Sequence, residues 1–454
     1  MSVLLELLPV GWGFAGIQFN ECRRCAVVID GGSIPACMRA ALQSVRFEVA
    51  YRMWPADGNW FWVISHFDYD HYSIVATLLK EGIIKPPLAV FLPESLSSRY
   101  CREGLALLYA TVELLPLRIP RLIPVRPADL PGILKNVGRI YGLHSGLTLD
   151  LCGLRYRVIW PPPRSYSDVT CRRLVRELRE RFLSACRSLK GGSEGICDRI
   201  LANMEEIRKD MDILSEKMQT SSREEYFKDI PEPIRRSGAI GRELERESED
   251  VDYVIQPYWE PEEDDLPRQV TLKGAAAIFS YKSGVREFFK LALRVLNVLS
   301  LAFVIQAMAD SSTPNTCIYV NNIKKENKIL HFTSLSVEEL KEFHAQGRSD
   351  ILLYPADLGG TELDSALNGY ILSQSQVTPL VEVAPHHGNA YSRYLREVRP
   401  LIAYIPRCDK HTPLAYRSPK SYRRYMASTR YRALLTLSSG HSTMLGLRLN
   451  SCSP

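Results

Sequence analysis

At 454 residues, 46% of them hydrophobic and 24% charged, the chain can bury one large core or two. Its longest apolar stretch, VLNVLSLAFVIQAMA at 295 to 309, is interrupted by Asn297, Ser300 and Gln306, so no membrane span is expected. The formal net charge of +6 is uneven: twelve Lys and Arg against Glu397 and Asp409 put residues 390 to 454 at +10, which leaves the remainder at −4.

The start of the chain, MSVLLELLPVGWGF, lacks the basic residues and small-residue cleavage site of a signal peptide, and a cytoplasmic location is expected. Short apolar runs bounded by Gly and Pro follow: LLELLPV, AGIQF, CAVVIDGG, NWFWVIS, LAVFLPE, LIPVRP and YRVIWPPP. Their length and their β-branched and aromatic content predict strands. Between some of them lie helical patterns, HYSIVATLLKEG and LSSRYCREGLALLYATVELL, so the class is α/β with helices packed on sheets. Cys22 and Cys25 form a lone CxxC without a second pair at zinc-ribbon spacing. The eleven cysteines are scattered, and this pair is expected to be buried thiols, or disulfides if the source is a hyperthermophile.

After the prolines at 161 to 163 the pattern changes. Residues 168 to 228 carry apolar positions at helical spacing among dense mixed charge, with eighteen basic and nineteen acidic residues between 161 and 250. This predicts a solvated helical hairpin, with the surface to serve as a partner-binding arm. An acidic, proline-bearing stretch at 245 to 269 reads as the return linker. Strand signals resume with SLAFVIQ, TCIYVNN, KILHFTS, DILLYPAD, LVEVAPHHG, LIAYIP and ALLTLSS. The expected organisation is two halves of one fold, 1–163 and 296–454, separated by a mainly helical insertion, 164–295.

The chemistry concentrates in SHFDYDH at 65 to 71, behind the strand-like NWFWVI. His66, Asp68, Asp70 and His71 fall at a strand-to-helix turn. There, alternation puts His66 and Asp68 on one side of an extended segment, and the turn brings Asp70 and His71 to an adjacent point. Imidazole with carboxylate suits zinc, manganese or ferrous iron better than magnesium alone. The same residues also fit a helix start capped by Asp68 or Asp70, with His66 exposed. Two later strands end in kind: ILLYPA in Asp357, and LVEVA in the His386–His387 pair of PHHG. Three apolar strands terminating in Asp or His is how a metal site is assembled at one edge of a sheet.

The succession VGWG (10–13), VVIDGG (27–32), SHFDYDH, WPP (160–162), NVLSLAFVI (297–305), LLYPAD (352–357) and VAPHHGNAYS (383–392) resembles the metallo-β-lactamase superfamily. Within it, the likeness is to the hydrolase domain of ComEC-type DNA-uptake proteins, and it spans nearly the whole chain outside the insertion. The resemblance implies an αββα sandwich with two divalent ions, zinc or manganese, at the sheet edge. It implies His66 and Asp68 on one ion, Asp70 and His71 on the other, Asp357 as the bridging carboxylate and His386 or His387 as a further ligand. Asp70 would also serve catalysis, and Asp30 would support the ligands without touching metal. The chain departs from the family where DHxGG becomes DHYSI, GD becomes Ala356-Asp357, HHGS becomes HHGN, and Phe14 stands where Asp is common. His144 could fill an extra histidine position, although a strand-end surface histidine is the simpler expectation.

Arg and Tyr alternate through the basic C-terminal segment, a pattern suited to phosphates and bases of single- or double-stranded DNA or of RNA. Arg423, Arg424 and Arg430 are the expected phosphate contacts. The leading expectation is a metal-dependent phosphodiesterase or nuclease. Hydrolysis of a small phosphoester or thioester, and a nucleic-acid or protein-binding module with a vestigial metal site, are the alternatives.

Overall fold

The computed structural model describes residues 2–8, 10, 13–20, 24–33, 59–114, 129–188, 194–221, 291, 294–296, 298–307, 315–323, 350–372, 379–388, 390, 392–398, 400–406, 433–436 and 442–450. In chain order the first half supplies strands β1 (Ser2–Leu7), β2 (Ala15–Asn20), β3 (Cys25–Asp30), β4 (Trp60–Val63), β5 (Ala89–Pro93), β6 (Ile140–Leu143), β7 (Thr148–Leu151) and β8 (Leu154–Trp160). Its helices are α1 (Tyr69–Lys80), α2 (Arg99–Leu114) and α3 (Asp129–Leu134). The insertion contributes α4 (Arg164–Ser188) and α5 (Glu194–Ser221). The second half contributes β9 (Ala302–Ala307), β10 (Asn315–Ile323), β11 (Asp350–Tyr354), α6 (Gly360–Leu372), β12 (Val381–Val383), β13 (Ile402–Ile405), β14 (Ala433–Thr436) and β15 (Ser442–Asn450).

Two mixed sheets result. The first has eight strands in the order β10-β15-β1-β2-β3-β4-β5-β6, and the second seven, β14-β13-β12-β11-β9-β8-β7. Strands β3 to β6 run parallel in the first, and β11, β12, β13 and β14 run parallel in the second. Parallel strands feed their carboxyl ends to one edge, where open α/β sheets bind their ligands.

Side-chain alternation explains the layering. On β3, Cys25, Val27 and Ile29 point into a core shared with Phe303, Leu352, Val381 and Ile402 of the other sheet. Ala26 and Val28, between them, point the opposite way, into a core with α1 and α2. The second sheet covers its outer face with α6 through Leu363, Ala366, Leu367 and Tyr370. The order through the molecule is therefore helix, sheet, sheet, helix. Burial on both faces is why the strands read as unbroken apolar runs.

The insertion departs from expectation. Cys171, Leu174, Val175, Leu178 and Phe182 of α4, with Cys197, Ile200, Met204, Ile207, Met211, Leu214 and Met218 of α5, are buried in the same core as α1 and α2. The i, i+3, i+4 spacing that predicted two helices thus serves the outer layer of the first sheet, not a solvated arm. Arg102 of α2 joins the two parts, with Nε donating to Asp212 Oδ1 at 2.7 Å and Nη1 to Ser215 Oγ at 2.7 Å. Disulfides Cys101–Cys171 and Cys186–Cys197 tie α2 to α4 and α4 to α5. A third, Cys25–Cys152, connects β3 to the β7–β8 turn, so the partner of Cys25 is not its CxxC neighbour. The predicted strands LIPVRP and KILHFTS, the return linker and the basic residues Arg423, Arg424 and Arg430 lie outside the described residues. No described helix is long and apolar enough to cross a membrane.

Candidate metal centre

Three strand ends converge as the sequence suggested. β4 leads through Ile64 and Ser65 to His66, and α1 begins at once behind it. Asp68 is the helix cap: its backbone is extended and its carboxylate accepts from the Tyr69 amide at 2.8 Å. The first turn of α1 then carries Asp70 and His71, both buried. From the second sheet come Asp357, just past β11, and the 3-10 turn Pro385–Gly388 after β12. The two loops are stitched together by the His386 amide donating to the Ala356 carbonyl at 3.0 Å.

Asp357 is central. Its carboxylate oxygens lie 3.7 Å from His66 Nε2, 3.5 Å from His71 Nε2, 3.9 Å from His386 Nε2 and 3.7 Å from His387 Nε2. Asp70 faces His71 Nε2 at 4.0 Å and His387 Nε2 at 3.3 Å. Among the described residues two groups of donors lie close enough to hold an ion, His66 with His71 and Asp357, and Asp70 with His71 and His387; all are buried. Asp70 and His71 fall together as the resemblance implied, but His66 is grouped with His71 and Asp357, and Asp68 belongs to neither trio. Of the histidine pair, His387 joins a trio, while His386 is the more exposed.

The far side of the cluster is as ordered as the near side. Asp30, wholly buried, accepts from the Ser65 amide on Oδ1 at 2.6 Å and from Ser65 Oγ on Oδ2 at 2.8 Å. His71 Nδ1 sits 2.8 Å from the same Oδ2, and His66 Nδ1 lies 3.0 Å from Ser65 Oγ. With both Nδ1 atoms turned to this acceptor chain, both Nε2 atoms face Asp357. His66 Nε2, His71 Nε2 and both Asp70 oxygens are buried without a hydrogen bond. Buried polar atoms ordinarily find partners. Imidazoles anchored at Nδ1 with bare Nε2 atoms beside carboxylates match the donor set of a divalent cation.

Electrostatics agree with that reading. Burial, then the neighbouring His71, lowers His66 to about 4, which keeps it neutral with a lone pair to offer. Burial also disfavours charge on His71, yet Asp357, Asp70 and Asp30 outweigh it and hold His71 well above the usual range. Asp357 is held well below the carboxylate range because His387, His386 and His71 overcome its burial. Asp68 is pushed up to about 8 by burial and by the charges of Asp70 and Asp357. A buried site this crowded with carboxylates is one that a cation stabilises.

The backbone is held in costly conformations here. Asp30, Ala356, His386 and His387 all adopt left-handed φ, at 56°, 53°, 48° and 54°. Such residues persist where surrounding structure over-determines them, typically at functional sites. Two of the sequence departures, at Ser73 and Phe14, acquire physical sense, and the third, at Ala356, is strained. Ser73, in DHYSI, bonds the Ser33 backbone at 3.1 and 3.2 Å. Ala356 occupies a conformation that glycine adopts freely. Phe14 stacks on Tyr354 at 4.4 Å behind the cluster.

Sequence reasoning missed Ser65 and Tyr354. Ser65 stood inside the quoted motif; Tyr354, whose hydroxyl donates to Asp30 Oδ2, offered no local signal. His144 stands apart, with Nδ1 on the Ser145 carbonyl at 2.9 Å and Nε2 facing Glu94 at 3.9 Å. Comparison with protein-family models, with curated proteins and with solved structures finds no match to this chain.

Proposed function

We propose that this chain is a metal-dependent hydrolase of metallo-β-lactamase type, most concretely a phosphodiesterase or nuclease. The observation that carries the proposal is the buried convergence of His66, Asp70, His71, Asp357 and His387, with the Nε2 atoms of His66 and His71 and both Asp70 oxygens left without hydrogen bonds. A divalent ion held there, zinc or manganese, would supply Lewis acidity and activate water for attack on a phosphoryl centre. The chain's own part is to present the neutral His66 imidazole, to keep Asp70 and Asp357 ionised, and to hold Asp30 as the fixed acceptor behind His71 and, through Ser65, behind His66. The two-sheet, four-layer arrangement and the position of the cluster at the carboxyl ends of parallel strands support the family reading. The +10 charge of residues 390 to 454 supports a polyanionic substrate.

Elemental analysis of the purified protein, with an assay on single-stranded and double-stranded DNA and on RNA with added zinc or manganese, tests the proposal. His66→Ala and Asp70→Ala are each expected to lower bound metal by at least one equivalent and to abolish hydrolysis. Full metal content in both variants would reject the site.

A further inference from the structure

We propose that Tyr354 is a positioning residue for this centre: its hydroxyl, by bonding Asp30, registers the strand that carries Asp357 against the imidazoles of His66 and His71. The inference deepens the metal-hydrolase reading and, in its metal-binding arm, rests on it.

The cluster is assembled from two sheets. His66, Asp70 and His71 follow β4 of the first, whereas Asp357 and His387 follow β11 and β12 of the second. Ligand atoms must be placed within a few tenths of an ångström to share an ion, so something must fix one sheet edge relative to the other. Tyr354 ends β11, three residues before Asp357. Its hydroxyl donates across the interface to Asp30 Oδ2, and lies 3.3 Å from His71 Nδ1 and 3.4 Å from Ser65 Oγ. Asp30 Oδ2 also takes His71 Nδ1 and Ser65 Oγ, so three groups that set the cluster meet at one oxygen.

The ring and the hydroxyl have separable tasks. The ring is 1% exposed, stacked on Phe14 at 4.4 Å and packed on Phe303 at 5.2 Å, which secures it with or without the oxygen. The hydroxyl, buried and turned to Asp30 Oδ2, donates to that carboxylate. Tyr354→Phe therefore removes the tie and keeps the packing.

The test compares wild type, Tyr354→Phe, Asp30→Asn and the double variant. Zinc affinity is measured by chelator competition, and exchange of the His71 Nδ1 proton by NMR of metal-free, histidine-labelled protein. Expected are zinc binding weaker by roughly 10-fold or more in Tyr354→Phe and faster Nδ1 proton exchange, with a melting temperature within a few degrees of wild type. In the Asp30→Asn background, removing the hydroxyl should add little, because it acts through that carboxylate. Unchanged affinity, or two losses that simply multiply, would overturn the proposal. Should wild type bind no metal, the hydrolase reading falls on its own; the exchange arm still decides Tyr354, and an unaltered exchange rate would sink it.

Discussion

Glu382 shows how a single residue can escape sequence reading. In LVEVA it stands between two valines, and alternation would send it to solvent. Val381 and Val383 do face the inter-sheet core, but the opposite face is covered by α6, so Glu382 is 0% exposed and both its carboxylate oxygens lack a hydrogen bond. Burial pushes its pKa up from 4.5 to about 8, and the residue is neutral in the folded protein near neutral pH. A carboxyl raised in the folded state favours folding fully below the unfolded value and loses that contribution as pH climbs toward about 8. Across that window the wild type should lose stability at about 1.4 kcal/mol per pH unit from this group alone. Glu382→Gln should remove that slope and be the more stable protein at pH 8, as urea unfolding at several pH values would register. An identical slope in both proteins would mean that the acid is charged and paired. The metal candidates were legible because their chemistry is rare and clustered in sequence; Glu382 and Tyr354 take their meaning from neighbours supplied by distant strands.

Elements were legible where burial was two-sided. β3, β4, β5 and β11 read as apolar runs because both faces are covered. β7 was missed for the converse reason: it is the last strand of its sheet, and its burial alternates, so Asp150 breaks the run. The junction between β3 and α1 is the most exacting piece of local structure. The Gly31 carbonyl accepts from the Ile74 and Val75 amides at 2.9 and 3.0 Å, laying the IDGG turn against the helix that carries Asp70 and His71. A β-carbon on Gly32 would overlap the Asp70 carbonyl and the His71 amide nitrogen, backbone atoms that cannot swing aside. The glycines are thus a packing requirement of the site and not merely turn residues. Gly32→Ala should displace the first turn of α1, weaken metal binding at least 10-fold and cost about 1 to 3 kcal/mol of stability. Calorimetry and metal titration on the same sample would show it, and a variant with native affinity would mean that the loop relaxes freely.

At the scale of the molecule, the insertion is the point on which sequence and structure part most clearly. Near-neutral, heavily charged helices between two halves of one fold suggest a solvated, partner-binding arm. The charge marks a solvent face, but the apolar stripe behind it names no partner, because nothing in residues 164–221 identifies the surface it meets. That surface is α2 together with the outer face of the first sheet. Each large apolar side chain buried there contributes about 1.5 to 3 kcal/mol, against a net stability of roughly 5 to 15 kcal/mol for a typical domain. Replacing 165 to 290 with a short linker should therefore yield protein that fails to fold, not a minimal metal-binding core. A graded version avoids an all-or-none result: Leu178→Ala and Phe182→Ala, both in the buried stripe of α4, should each lose about 2 to 5 kcal/mol. Exposed Val169→Ala on the same helix should cost under about 1 kcal/mol. Urea denaturation followed both by circular dichroism and by release of bound metal gives the decisive comparison. Coincident transitions in the α4 variants would make the helices part of the one cooperative unit that holds the site, whereas loss of helical signal with metal retained would restore the arm.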